Sequence, residues 1–177
     1  MIQDSSKLEN KKVSFFEERT IDWDRDKRAI RMIDQTLLPL ELRFVECSTV
    51  EETVEAIQSL RVRGAPAIGV CGAMGVALSV SKANASTKQE LLREIETDCI
   101  ALKSARPTAI NLEWGVDKVL DFIKSSLPEH LESDDYKGNV VGFVMHLADD
   151  DVVRNKKLSE LGSKLFRTGD SVLTHCN

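Results

Sequence analysis

The chain has 177 residues, 42% of them apolar, enough for one large domain or one and a part around an ordinary core. Lys and Arg number 24 against 29 Asp and Glu, a formal charge of -5, which excludes a general electrostatic grip on nucleic acid or an anionic membrane and leaves room only for a local anion site. The polar N-terminus MIQDSSKLENKK lacks the apolar run of a signal peptide or membrane span and points to a cytoplasmic protein.

In chain order, RTIDWD and RAIRMIDQT alternate apolar and polar residues around Arg25, Asp26 and Lys27, which predicts a β-hairpin, with a short strand to follow at RFVEC. STVEETVEAIQSL opens with Thr49 and Glu52 in capping-box spacing and sets Val50, Val54, Ile57 and Leu60 on one helical face, ending near Arg61. From Pro66 the residues are small and apolar on every side, predicting a helix buried all round. Gly69, Gly72 and Gly75 cost that helix about 1 kcal/mol each relative to alanine, so a neighbouring helix or ligand is expected to approach along their stripe. They lie inside the helix, which separates them from the dinucleotide fingerprint GxGxxG of a strand-to-helix turn.

Thr87 and Glu90 cap a predicted helix over TKQELLREIETDCIALKSA, with Leu91, Leu92, Ile95, Cys99 and Leu102 on one face, and Pro107 is expected to open the next, TAINLEWGVDKVLDFIKSSL. SSLPEHLESDDYKGN reads as an exposed loop. NVVGFVMHLADDDVVRNKKLSELGSKLF keeps helical spacing throughout and predicts a long helix. Thr168, Gly169 and Asp170 form a turn before SVLTHC, a short strand with no partner in sight; a sheet completed by further chain or another polypeptide is the expectation. The fold class is thus α+β to α/β: a β-hairpin plus helical domain over 1–138, then a connecting helix and the first strand of an incomplete sheet domain over 139–177.

VRGAPAIG and SARPTAIN share one grammar, an arginine and then within three residues a proline suited to a helix's first turn. The first amides of a helix lack internal partners and carry partial positive charge, so an anion there is both hydrogen-bonded and electrostatically favoured. Arg63 and Arg106 would add counter-charge, and Gly64 would let a ligand's oxygens reach backbone amides. The competing reading has both arginines capping neighbouring helices or pairing with acids. Arg61 reads as solvated or structural.

Thr174, His175, Cys176 and Asn177 stand where open α/β sheets gather their active sites, at the carboxyl end of a strand. A tuned Cys176 thiol could work as acid or base, although a lone cysteine is more often a small buried residue. The cysteines form no CxxC pair, and His130 and His146 have no metal-ligand spacing, so no metal is expected. Asp149 to Asp151 read as a solvated helix face, Glu113 with Asp117 as an exposed pair, and Trp23 and Trp114 as either core residues or the lining of an apolar pocket.

Together IDWD, IDQTLLPLE, VRGAPAIG, SARPTAINLEWGV and GDSVLTHCN resemble the methylthioribose-1-phosphate isomerase family, which is related to regulatory subunits of translation initiation factor 2B; the match runs in order from about Arg19 to the last residue. The resemblance implies an aldose-to-ketose isomerase of methionine salvage, converting 5-methylthioribose 1-phosphate to 5-methylthioribulose 1-phosphate without metal or organic cofactor. It implies substrate binding by Arg63, Gly64, Ala65 and Arg106, an active-site role for Cys176, a Rossmann-like rear domain and a homodimer. The family's second catalytic group, an aspartate, falls downstream of the THCN motif, so the 177 residues alone are expected to be inactive and to need the remainder of the chain or a second polypeptide. A nonenzymatic regulatory subunit of the initiation factor 2B type, and an isomerase of another pentose phosphate such as ribose 1,5-bisphosphate, are the alternatives.

Overall fold

The computed structural model describes residues 19–131 and 135–175. The expected hairpin is present: β1 (Ile21–Asp24) pairs antiparallel with β2 (Ala29–Ile33), and β3 (Phe44–Cys47) adds to the other side of β2, giving a sheet of order β1-β2-β3. The register sets Trp23 opposite Ile30 and Met32 opposite Val45, so one face of the sheet carries Ile21, Trp23, Ile30 and Met32 into the core. Asp24 turns the hairpin by accepting hydrogen bonds from the amides of Asp26 and Lys27.

Helix α1 (Val50–Gln58) starts at the full capping box of Thr49 and Glu52. It buries Val50, Thr53, Ala56 and Ile57; of the rest of the predicted face, Val54 packs half-buried against the core and Leu60 does not join it. Leu60 falls beyond the helix end with a positive φ of 64° and points toward solvent. Helix α2 (Ala65–Lys82) is the axis of the molecule, with every residue from Ile68 to Val80 buried. By length and hydropathy it could cross a membrane, yet here it is the core helix on which the others pack.

The predicted single helix over 87–105 is two. Helix α3 (Lys88–Glu94), capped by Thr87 and Glu90 as expected, ends before Ile95, and α4 (Glu96–Ser104) follows directly after it. The joint is slight: Ile95 keeps helical backbone angles, its amide donates to the Leu91 carbonyl at 3.1 Å and its carbonyl accepts from the Cys99 amide at 3.0 Å, so Leu91, Ile95, Cys99 and Leu102 reach the core on the one face predicted. Pro107 does not open a helix. It occupies a turn in which the Ala109 amide donates to the Arg106 carbonyl at 2.9 Å, the position for which proline's fixed φ is suited, and α5 (Ile110–Ser126) begins after it.

The predicted loop of 125–139 is shorter than expected because the long helix α6 (Asp135–Gly162) starts four residues early, burying Tyr136, Val140, Val144 and Ala148. Past Ala148 the helix leaves the core, and Val153, Leu158, Leu161 and Leu165 are exposed. SVLTHC forms no strand among the described residues: 171–175 are exposed and pair with nothing described, so the backbone has no ladder to join.

Helices α2 and α5 cross with backbone against backbone. A Cβ on Gly115 would sit 2.0 Å from the Gly69 carbonyl oxygen, one on Gly69 2.8 Å from that of Asn111, and one on Gly72 2.7 Å from Leu112 Cδ1. Of the glycine stripe predicted to admit a neighbouring helix, Gly69 and Gly72 admit α5 and Gly75 admits Leu102 of α4, and the α2–α5 contact sets those two helix N-termini side by side.

Candidate functional site

Both Arg-Pro segments open onto one cavity. Arg63, Gly64 and Ala65 at the start of α2, with Arg106, Thr108, Ala109 and Asn111 at the start of α5, line a space of about 440 Å³. Arg63 is exposed and Arg106 half-buried, so the cavity opens to solvent at its arginine rim. Gly64 holds a φ of 94°, in the left-handed region glycine tolerates, and a Cβ there would meet no described atom within 4 Å. The requirement for glycine at this point is conformational: it swings the chain out of the preceding loop and into the first turn of α2.

The two helix mouths differ from those of α1 and α3. Threonine and glutamate close the first turns of α1 and α3, whereas among the described residues no side chain caps α2 or α5, and α2 carries no acid in its first turn. Pro66 has no N–H, which leaves the Ala65 and Ala67 amides as first-turn donors of α2; Ile110 and Asn111 supply those of α5. Two half-charges of helix-dipole origin and two guanidinium groups therefore border one cavity, the arrangement that suits a dianionic phosphate.

The loop that carries Arg63 is braced from below, by residues the sequence reading had not singled out as site residues. Asp34, 2% exposed, accepts from the amide of Thr36 at 3.1 Å and the hydroxyl of Thr36 at 2.5 Å, and forms an ion pair with the Arg61 guanidinium. Burial works against its charge, but the Thr36 bonds and Arg61 outweigh it and hold the Asp34 carboxyl below the usual carboxylate range. Arg61 also bonds Glu55, so it is structural, as expected. Gln35 completes the brace, its amide donating to the Arg61 carbonyl at 2.9 Å and its side chain to the Arg63 carbonyl at 3.1 Å. The signal was present in IDQT, where Asp and Thr two apart favour a side-chain-to-backbone turn.

Cys176 and Asn177 lie outside the described residues. The other three thiols are buried, and burial pushes Cys47 up to about 11, Cys99 up to about 12 and Cys71 higher still, which makes them inert packing groups. His130 pairs backbone with Thr87, and His146 stands exposed 4.0 Å from Asp150. Asp149 contacts Arg19, and Asp117 bonds Lys103, so neither acid run is wholly solvated. The two tryptophans divide: Trp23 is in the core and Trp114 lines a cavity.

Residues 61–177 match the model of the initiation factor 2 subunit family. A Methanosarcina acetivorans protein provisionally named methylthioribose-1-phosphate isomerase is 42% identical over 159 residues, covering 90% of this chain and 44% of the relative. Two solved structures superpose well. That of translation initiation factor eIF-2B subunit delta from A. fulgidus has a TM-score of 0.74 at 38% identity, over 90% of this chain and 45% of the other. That of 5-methylthioribose 1-phosphate isomerase from Pyrococcus horikoshii has 0.73 at 36% identity, over 84% and 40%. The chain thus spans less than half the length of these relatives. The match covers both helix mouths and the cavity between them, and the chain belongs to the initiation factor 2 subunit family.

Proposed function

We propose that this chain carries the phosphate-binding part of a sugar-phosphate isomerase that converts 5-methylthioribose 1-phosphate to 5-methylthioribulose 1-phosphate in methionine salvage. The observation that carries the reading is the single cavity shared by Arg63, Gly64, Ala65 and Arg106 between two helix mouths with no described side-chain cap. The reaction needs such a grip. Esterification at C1 prevents the ring from opening as a free sugar does, so the enzyme must give the ring oxygen a proton, move hydrogen from C2 to C1 and take a proton from the C2 hydroxyl. A phosphate held by charge and amides fixes C1 and C2 while that happens. Cys176, at the end of the chain, and an acidic residue from further polypeptide would exchange the protons.

In this reading 1–138 form the binding domain, and 139–177 lead into a Rossmann-like domain that covers the exposed apolar residues of α6 beyond Ala148. The full assembly is a cytoplasmic homodimer that uses no metal or organic cofactor. Arg106→Ala and Arg63→Ala should each weaken binding of 5-methylthioribose 1-phosphate by ten-fold or more, since a charge-assisted hydrogen bond contributes about 1.5 to 3 kcal/mol and about 1.4 kcal/mol is ten-fold. Titration calorimetry reads this directly, and unchanged affinity in both variants would refute the site. Cys176→Ser should leave binding intact and depress turnover by the complete enzyme.

One observation favours a second reading, a nonenzymatic regulatory subunit that senses a sugar phosphate: the A. fulgidus structure at 38% identity is titled as an initiation factor subunit. Binding without turnover in the complete protein, with Cys176 present, would select it.

A further inference from the structure

A second cavity, of about 410 Å³, adjoins the phosphate cavity, and Asn111 lines both. Its apolar wall is made by Pro66, Gly69, Val70, Trp114, Phe143 and Leu147, where the first turns of α2 and α5 meet the middle of α6. Trp114 stands three residues beyond Asn111 and therefore on the same face of α5. It is 43% exposed, while Trp23, in the core, is 7% exposed. A half-open indole inside a concave wall gains when an apolar group covers it. At a rise of 1.5 Å per residue, Trp114 lies about 6 Å along α5 from the helix mouth, roughly the reach of a pentose ring and its C5 substituent.

The geometry points to Trp114 as a specificity-determining residue that receives the end of the sugar remote from its phosphate, where it selects an apolar substituent; the inference rests on the phosphate-site reading above. The far wall of the same cavity is polar and carries both signs of charge: Asp150 and Asp151 line it with Lys118, His146 and Arg154, Arg154 Nη2 standing 3.8 Å from Asp150 Oδ2 and Lys118 Nζ 5.9 Å from the Trp114 ring centroid. A sugar ending in a methylthio group would cover the indole, whereas one ending in a hydroxyl would leave it wet.

Titration calorimetry on the complete protein with 5-methylthioribose 1-phosphate and ribose 1-phosphate tests this. Trp114→Ala should lower affinity for the methylthio sugar by about ten-fold, the size of a small apolar group's contribution in a pocket, and leave ribose 1-phosphate within about two-fold. Retained ribose 1-phosphate binding also certifies that the variant is folded, and Trp114→Phe should keep most of the preference. In the parent, acrylamide quenching of the exposed indole should fall with the methylthio sugar and persist with ribose 1-phosphate. Equal loss of both sugars in Trp114→Ala, or no loss of either, would overturn the role of Trp114 while the phosphate site stands. Failure of the parent to bind either sugar would overturn both.

Discussion

Replacing Gly115 by alanine tests whether the α2–α5 crossing fixes the geometry of the site. The new Cβ would sit 2.0 Å from the Gly69 carbonyl oxygen and 2.8 Å from its carbon, and both are backbone atoms that no rotamer change can move. Reaching even 3.0 Å requires the helices to separate by about 1 Å at that point, a gap that forfeits a quarter to a half of each contact's attraction. Leu112, Val116 and Ile68 are buried around the crossing, and each contributes about 1.5 to 3 kcal/mol when fully packed. Losing a third to a half of that, with strain in the shifted backbone, costs about 3 to 4 kcal/mol, against which alanine returns about 1 kcal/mol of helix propensity. A net loss of about 2 to 3 kcal/mol follows, read as a lower urea midpoint at unchanged slope and a melting temperature lower by about 4 to 12 °C. Gly142→Ala is the matched control: in α6 its Cβ would meet no described atom within 4 Å, so it should stabilise by about 0.5 to 1 kcal/mol. If Gly115→Ala equals or exceeds the parent in stability, the crossing is not the constraint argued here.

Other perturbations follow from the same structure. Asp34 has a folded-state pKa below its unfolded value, so its contribution is complete above the unfolded pKa and is lost as pH falls through the folded one; Asp34→Asn should flatten this part of the acid limb in pH-dependent denaturation. Asp34→Ala, which leaves Arg61 without its buried partner and frees the Arg63 loop, should cost about 2 to 4 kcal/mol and weaken sugar-phosphate binding as well. Thr87→Ala removes a cap and should cost about 1 kcal/mol by denaturant titration. Alkylation at neutral pH followed by peptide mass spectrometry should leave Cys47, Cys71 and Cys99 unlabelled until the protein unfolds; native labelling at any of them would contradict their buried state.

Much of this was legible in the residues. Alternation around Arg25 to Lys27 and the Thr–Glu boxes at 49–52 and 87–90 are local signals with local causes, and they placed the hairpin and two helix starts correctly. The uninterrupted apolar run after Pro66 marked the core helix for the same reason. What failed was tertiary in origin. Helix α6 starts early because Tyr136 finds a buried place against α2, donating to the Ala83 carbonyl. Pro107 has the residue type of a helix opener but serves the turn before the helix. The arginines at 63 and 106 were legible as a repeated phrase, yet that they line one cavity depends on Gly69 and Gly115 bringing the helices into contact, which no single segment encodes. Trp114 was ambiguous for the same reason.

Backbone amide shifts during titration with 5-methylthioribose 1-phosphate test the central claim most directly. If one phosphate is held between both helix mouths, the amides of Gly64, Ala65 and Ala67 must move together with those of Ile110 and Asn111, on one binding curve with one Kd. Movement at only one mouth, or two curves with different midpoints, would mean that the arginines serve separate tasks and that the cavity is no sugar-phosphate site.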